Sequence, residues 1–126
     1  MCGIGLELLV DATASDSDTS RRRASAAAML HRRGPDALAE RLVATGGNSE
    51  LWMAGAVLSL RGSSVVSQPL ADAHGNLLLW NGEIFGGLHV PPGGSDTMAL
   101  LAGLAAAPCI PTLMRSLRAA ADAESA

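Results

Sequence analysis

The feature that most constrains the fold is a period-two pattern that begins at the N-terminus. Large apolar residues occupy every second position of this segment, namely Ile4, Leu6, Leu8 and Val10. Such alternation predicts a β-strand, because successive side chains of a strand point to opposite faces of its sheet. The strand would start almost at the N-terminus, so it would hold Cys2 at a strand end rather than on a loose tail.

Cys2 is a candidate nucleophile because of its position in the chain. Removal of the initiator Met would leave this cysteine with a free α-amine, so one residue would supply both a nucleophile and a base. A thiol is little ionised at neutral pH, whereas an α-amine with a pKa near ~8 can accept the thiol's proton. Gly3 adds no side chain beside the thiol. A cysteine at position 2 also occurs by chance, so the rest of the chain must support this role.

Charge and composition narrow the class of protein. The chain has 126 residues, enough for one small domain, and its net charge of −3 argues against a nucleic-acid partner bound through a basic field. We interpret the arginines at 21–23 as a solvated helix start rather than a docking patch. Cys2 and Cys109 form no disulfide framework, and the scattered histidines have no metal-ligand spacing, so no metal is expected.

Hydropathy and aromatic content set further expectations. We predict no secretory signal and no membrane-spanning segment, hence a cytoplasmic protein. The aromatic residues are two Trp and one Phe, with no Tyr. A core made mostly of Ala and Leu buries less area per residue than an aromatic one, so the isolated chain is expected to be weakly stable.

The remaining elements follow from caps, turns and apolar runs. We predict a helix at 21–31 capped by Ser20 and ended by Gly34-Pro35, and a second helix after Ser95, with Asp96 in its first turn, that ends before Pro108. Strands are predicted at 38–43, 51–60 and 77–80, with turns at 46–48 and 74–76. A last helix is predicted to begin near Pro111.

Several short motifs occur in a fixed order, namely Met1-Cys2-Gly3-Ile4, Arg33-Gly34-Pro35-Asp36, Gln68-Pro69-Leu70, Asn81-Gly82-Glu83-Ile84-Phe85 and Ser95-Asp96. This ordered set resembles the glutaminase domain of class II glutamine amidotransferases, the N-terminal-nucleophile type found in asparagine synthetases. The resemblance covers residues 1–101 as a partial domain. It implies an α+β fold, the N-terminal portion of a four-layer αββα N-terminal-nucleophile hydrolase. Residues 102–126 are interpreted as an Ala-rich, low-complexity tail.

The resemblance implies roles for individual residues. Cys2 would attack the side-chain amide of glutamine, and Asn81 with the Gly82 N–H would stabilise the tetrahedral oxyanion. Asp96 would bind the substrate's α-ammonium group, and Glu83 would also contact substrate. Two of these assignments have a structural alternative. Asn81-Gly82 could be a tight turn that ends a strand, and Asp96 could be an acidic residue favoured at a helix N-terminus. Arg33-Gly34-Pro35-Asp36 is expected to stop a helix near the nucleophile, and Gln68-Pro69-Leu70 to be a loop in the pocket wall.

The chain departs from the family in two respects. The family's Arg that binds the glutamine α-carboxylate has its place on Val57, although Arg61 follows on the same segment and could replace it. The resemblance also fades after about residue 101, so we expect a truncated or alternatively spliced product. We expect the ATP-dependent synthetase domain, to which ATP and Mg would belong, to be absent from this chain, and we expect no cofactor in it.

Two functions from different classes remain open. The first is a glutamine amidotransferase domain that hydrolyses glutamine to glutamate and ammonia for amide transfer in asparagine biosynthesis. The second is a non-catalytic fragment or pseudoenzyme isoform, and an unrelated small Ala-rich domain ranks third. Because of Val57 and the missing later part of the family's domain, the isolated chain is predicted to have no measurable glutaminase activity. The sequence indicates glutamine as a small-molecule partner and no particular protein partner.

Overall fold

The computed structural model describes residues 2–10, 17–60 and 62–107. Over these residues the chain is a small α+β domain with two helices and antiparallel sheets, which confirms the predicted class at this level. The elements in chain order are β1 (Gly3–Leu9), α1 (Ser17–His31), β2 (Ala37–Gly46), β3 (Ser49–Val57), β4 (Leu70–Ala71), β5 (Leu77–Leu78) and α2 (Asp96–Ala106). No helix within these ranges is both long and apolar enough to cross a bilayer.

The main sheet has three antiparallel strands, with β3 between β1 and β2. Gly3 pairs with Ala56 on one side of β3, and Ala37 pairs with Val57 on the other. The hairpin between β2 and β3 turns where the sequence predicts, at Gly46 and Gly47, whose φ angles of 99° and 57° favour glycine. The N-terminal strand is confirmed, and it holds Cys2 at its start.

Helix α1 packs on the glycine-bearing face of the sheet. A Cβ atom added to Gly3 would lie 2.8 Å from Leu30 Cδ2, and one added to Gly5 would lie 2.9 Å from Leu30 Cδ1. Both glycines therefore let the helix approach β1 closely. On the same face the Trp52 ring is buried, and its indole N–H donates to Glu40 Oε2 at 2.8 Å.

An ion-pair cluster joins the first half of α1 to this face. The Arg23 side chain is only 13 % exposed and pairs with Glu7 at 2.6 Å and Glu50 at 2.8 Å. The Arg23 guanidinium, followed by Arg22, holds the pKa of Glu7 below its ordinary value. Arg21 and Arg22 pair with Asp18 on the helix surface. The interpretation of this arginine cluster as a solvated helix start is thus wrong for Arg23, which is enclosed between two carboxylates.

The opposite face of β1 is apolar and open. Leu6 and Leu8 are 61 % and 58 % exposed, since α1 lies on the other side of the strand. Leu6 pairs with Met53 and Ile4 pairs with Gly55, so these residues share one face. The segment 62–107 reaches this face at Gly55, where Gln68 covers the backbone. The described part of the chain leaves the Leu6 and Leu8 end of the face to solvent.

Several predicted boundaries differ from the structure. Helix α1 begins at Ser17, not after Ser20, because Asp18 lies in its first turn and pairs with arginines one turn later. Strand β3 ends at Val57, because the Leu58 and Ser59 N–H groups donate to side-chain acceptors and not to the backbone of a neighbouring strand. Strand β2 is longer than predicted, and β5 shorter.

Two further differences concern short segments. Leu70, predicted as part of a loop, pairs with Leu78 as one end of the two-stranded β4–β5 sheet. Ser95 precedes α2 as predicted, but its side chain makes no capping hydrogen bond. The helix predicted near Pro111 and most of the predicted tail lie outside the described residues.

Candidate active site

Cys2 lies directly before β1 and beside the segment that leaves β3. The Leu58 N–H donates to Cys2 Sγ at 3.4 Å, and the thiol lies 3.7 Å from the Leu58 carbonyl oxygen. This double contact fixes the sulfur against the chain at the end of β3. The cysteine is half-buried and lines a cavity, so its sulfur is held by backbone groups on one side and remains accessible on the other.

The Arg33-Gly34-Pro35-Asp36 segment supports the turn that holds Cys2. The Arg33 and Gly34 N–H groups both donate to the Leu30 carbonyl, which ends α1. A Cβ atom on Gly34 would lie 2.5 Å from the Val57 nitrogen, so glycine is required by this close approach. Asp36 Oδ2 then accepts the Ser59 N–H at 2.7 Å. The predicted helix stop therefore lies next to the nucleophile, as the sequence indicates.

Asn81 reaches Cys2 from a distant part of the chain. Its side-chain Nδ2 donates to the Cys2 carbonyl oxygen at 3.2 Å, across a sequence separation of 79 residues. The following Gly82 lies under the Trp80 ring, where an added Cβ would be 2.7 Å from Trp80 Cζ2. The ring thus explains why position 82 requires glycine. Asn81 and Gly82 both line the cavity that contains Cys2.

Asp96 lies at the N-terminus of α2 on the same cavity and is buried. Its Oδ2 accepts the Ile84 N–H at 2.8 Å, which ties the helix to the segment that follows Gly82. Glu83 also lines the cavity but is exposed to solvent. The structure therefore brings together Cys2, Asn81, Gly82, Glu83 and Asp96, whereas Arg61 lies outside the described residues.

Gln68 lines the cavity, as expected for the Gln68-Pro69-Leu70 motif, but its connecting role is not apparent from the sequence. It is 3 % exposed, and its two side-chain polar atoms bind different segments. Oε1 accepts the Trp80 N–H at 2.6 Å, and Nε2 donates to Thr97 Oγ1 at 3.3 Å. Its Cβ also covers Gly55 of β3, where an added Cβ would lie 2.7 Å away. Gln68 therefore connects the sheet, the segment before Asn81 and the N-terminus of α2.

The cavity between these segments has a volume of about 390 Å³. Its titratable lining side chains are Cys2, Glu83 and Asp96, and none of the described lining residues is Lys, Arg or His. Val57 forms part of the wall and is 7 % exposed. Among the described residues, no group of His, Cys, Asp or Glu is suitably arranged for a metal ion. The cavity can thus combine a thiol, amide and backbone donors, and negative charge.

Comparison with known proteins gives a consistent set of relatives. The chain is 40 % identical over 77 residues to asparagine synthetase domain-containing protein 1 of Mus musculus, a match that covers 61 % of this chain and 12 % of the relative. The proteins of the same name from Gallus gallus and Bos taurus are each 42 % identical, over 78 and 71 residues, and are covered over 12 % and 11 % of their lengths. These matches confirm the resemblance to asparagine synthetase-like proteins.

The matches also set the scale of the comparison. The chain spans only about an eighth of the length of these curated relatives, 12 % in the mouse protein. No protein-family profile matches the chain, and no solved structure matches it either. The likeness therefore concerns one segment of much longer proteins.

Proposed function

We propose that this chain carries a cysteine-nucleophile amidase site of the class II glutamine amidotransferase type, which acts on the side-chain amide of a glutamine group. One observation carries the proposal: Asn81 donates to the backbone of Cys2 although 79 residues separate them. A tight turn alone would not require this contact. The fold brings Asn81, a candidate oxyanion donor, next to Cys2, the candidate nucleophile, and Gly82 and Asp96 line the same cavity.

The proposed reaction starts at the Cys2 thiol. After removal of Met1, the α-amine of Cys2 takes the thiol proton, and the thiolate attacks the amide carbon of the glutamine side chain. The carbonyl oxygen becomes negative and accepts hydrogen bonds from the Asn81 amide and the Gly82 N–H. Because both groups are already fixed, by Cys2 and by the Trp80 ring, they need little reorganisation when the charge develops.

The intermediate then collapses to products. The carbon–nitrogen bond breaks as the α-ammonium group of Cys2 returns its proton to the leaving nitrogen, so ammonia leaves and a thioester remains. Water attacks the thioester and the α-amine takes the water's proton. The carbon–sulfur bond then breaks as this proton passes to the departing Cys2 sulfur, which restores the thiol. In sum, a carboxamide and water give a carboxylate and an ammonium ion. The ammonia would serve amide formation, which agrees with the name of the relatives.

Substrate orientation follows from the cavity's charge. The buried carboxylate of Asp96 binds the α-ammonium group of the glutamine moiety, and Glu83 at the rim adds negative charge.

The open apolar face of β1 supports the wider assignment to a four-layer N-terminal-nucleophile fold, because a second sheet would cover Leu6 and Leu8 in such an arrangement.

A non-catalytic protein is the second candidate, and Val57 is the observation that favours it. Val57 is a buried apolar residue on the wall of the cavity. A bidentate Arg–carboxylate pair is difficult to replace, so a site without it would lose affinity for free glutamine. The chain would then bind a ligand without hydrolysing it.

Product analysis distinguishes the two candidates. The chain, with Met1 removal verified by intact mass, is incubated with glutamine and with derivatives of glutamine that keep the side-chain amide and the α-amine. We expect no measurable hydrolysis of free glutamine by the isolated chain, as the sequence predicts, and hydrolysis of the side-chain amide of at least one derivative, abolished by Cys2→Ala and retained by the matched variant Cys109→Ser. Binding without hydrolysis would support the non-catalytic candidate. Hydrolysis that persists in Cys2→Ala would contradict the assignment of the nucleophile.

A further inference from the structure

Strand β1 forms one edge of the main sheet. Strand β3 lies between β1 and β2, so within the described part of the chain β1 has a paired neighbour on one side only. The backbone N–H and C=O groups that point to its other side have no strand to bind among these residues. An unpaired edge of this kind is a template for a strand of another chain.

A groove of about 460 Å³ runs beside the same edge, between β1 and the second half of α1. Its apolar lining consists of Ile4, Gly5, Ala26, Met29 and Leu30. Met29 is 66 % exposed, so a strand added along β1 would remove apolar area from water. Arg32 and Arg33 line the groove as well and give it positive charge. The groove therefore fits an extended strand that places a small or acidic residue beneath α1.

Strand β1 itself has this pattern. Gly5 and Glu7 face α1, whereas Ile4, Leu6 and Leu8 lie on the opposite face. We propose that the occupant of the edge is a second copy of this chain, with the two β1 strands paired antiparallel about a two-fold axis at Leu6. The three strands of each copy would then form one continuous sheet of six strands. This inference is independent of the proposed function, since it concerns the edge of the sheet and not the Cys2 cavity.

The register about Leu6 makes β1 complementary to itself. Leu6 lies opposite the partner's Leu6, and Ile4 lies opposite the partner's Leu8, so apolar side chains meet on one face. On the other face the partner's Glu7 lies opposite Gly5, next to the positively charged groove. An axis at Glu7 would place two carboxylates opposite each other, and a slip of one residue would join the apolar face of one copy to the α1 face of the other.

The two copies of α1 also fit side by side. Helix α1 contacts β3 and β2 as well as β1, so its axis is displaced from β1 toward the centre of the sheet. Paired strands lie about 4.8 Å apart, and a displacement of about half this spacing in each copy puts the helix axes about 10 Å apart. Packed helices lie about 8–10 Å apart. Ala26 and Met29 line the groove on this flank of α1, where the two helices would meet.

Sedimentation equilibrium of the full chain, under reducing conditions, tests the proposal. We expect the mass to rise with concentration toward twice the 12.8 kDa of one chain, because a strand pair with one helix contact is smaller than a standard interface and dissociates on dilution. Leu6→Lys and Leu6→Glu each put like charges at the axis, so each should weaken association about tenfold or more. An equimolar mixture of the two variants should regain the dimer, with one chain of each kind.

Leu42→Lys is the matched control, since Leu42 is similarly exposed but lies on β2 at the other edge of the sheet. We expect this variant to dimerise like the unmodified chain. A chain that stays monomeric at every concentration overturns the proposal, as does a dimer that Leu6→Lys leaves intact. Equal weakening by Leu42→Lys, or no recovery in the mixture, would also overturn it. Circular dichroism verifies that each variant is folded, which the exposure of Leu6 favours.

Discussion

Replacing Gln68 by Met should loosen the site, because the side chain keeps its length but loses both hydrogen bonds. The Trp80 N–H and the Thr97 hydroxyl would each lose a partner, at 2.6 Å and 3.3 Å in the native structure. A buried polar group left without a partner costs about 1–3 kcal/mol. Trp80 is only half-buried and the Thr97 bond is long, so both costs fall near the lower limit. We expect the free energy of unfolding to fall by about 2 kcal/mol.

Urea unfolding followed by tryptophan fluorescence measures this change. Ser67→Ala is the matched control, since this exposed neighbour lies outside the hydrogen-bond network and should change stability by less than about 0.5 kcal/mol. A double-mutant cycle with Thr97→Val isolates the Gln68–Thr97 bond. If Gln68→Met behaves like Ser67→Ala, Gln68 does not hold the three segments together, and the reasoning is refuted.

Three further outcomes are expected. Gly34→Ala should destabilise the fold by about 1–3 kcal/mol or more, because its Cβ would lie 2.5 Å from the Val57 nitrogen; an unchanged thermal midpoint would contradict this. The Arg23 guanidinium holds the pKa of Glu7 below its ordinary 4.5. The ion pair therefore contributes fully to the free energy of unfolding above pH 4.5, and this contribution is lost as the pH falls through the lower pKa of the folded state. Glu7→Gln should therefore flatten the dependence of the urea midpoint on pH below 4.5, and an unaltered slope would argue against the pair. Asn81→Ala should reduce turnover about 10²- to 10³-fold with an unchanged circular dichroism spectrum, whereas a collapsed fold would favour the turn role.

Periodic and local signals allow the main sheet to be predicted. The alternation from Ile4 to Val10 identifies β1, and the glycines at 46 and 47 identify the hairpin turn because their positive φ angles exclude most other residues. Periodicity does not reveal which face a helix covers. In the structure α1 lies on the side of Gly3 and Gly5, since the absence of side chains there permits close approach, and the larger apolar side chains remain open.

Part of the candidate site could be predicted from the sequence, and part could not. Cys2, Asn81 and Asp96 were predicted from motifs, and the structure brings them to one cavity. The role of Gln68 could not be predicted, because its partners Trp80 and Thr97 are 12 and 29 residues away and no local pattern links them. The two-residue strands β4 and β5 are too short to show alternation, so their pairing also depends on tertiary contacts.

The central claim is that Cys2 is a nucleophile held in an organised site, and covalent labelling tests it most directly. The chain without Met1 is treated with a diazo-ketone analogue of glutamine, as the free acid and as the α-amide, and the adduct is located by peptide mass spectrometry. We predict one adduct, on Cys2, which forms much more slowly in Asp96→Asn, because the carboxylate that binds the ammonium is then absent. Equal labelling of Cys2 and Cys109, or labelling of Cys2 at a rate that Asp96→Asn leaves unchanged, would contradict the account.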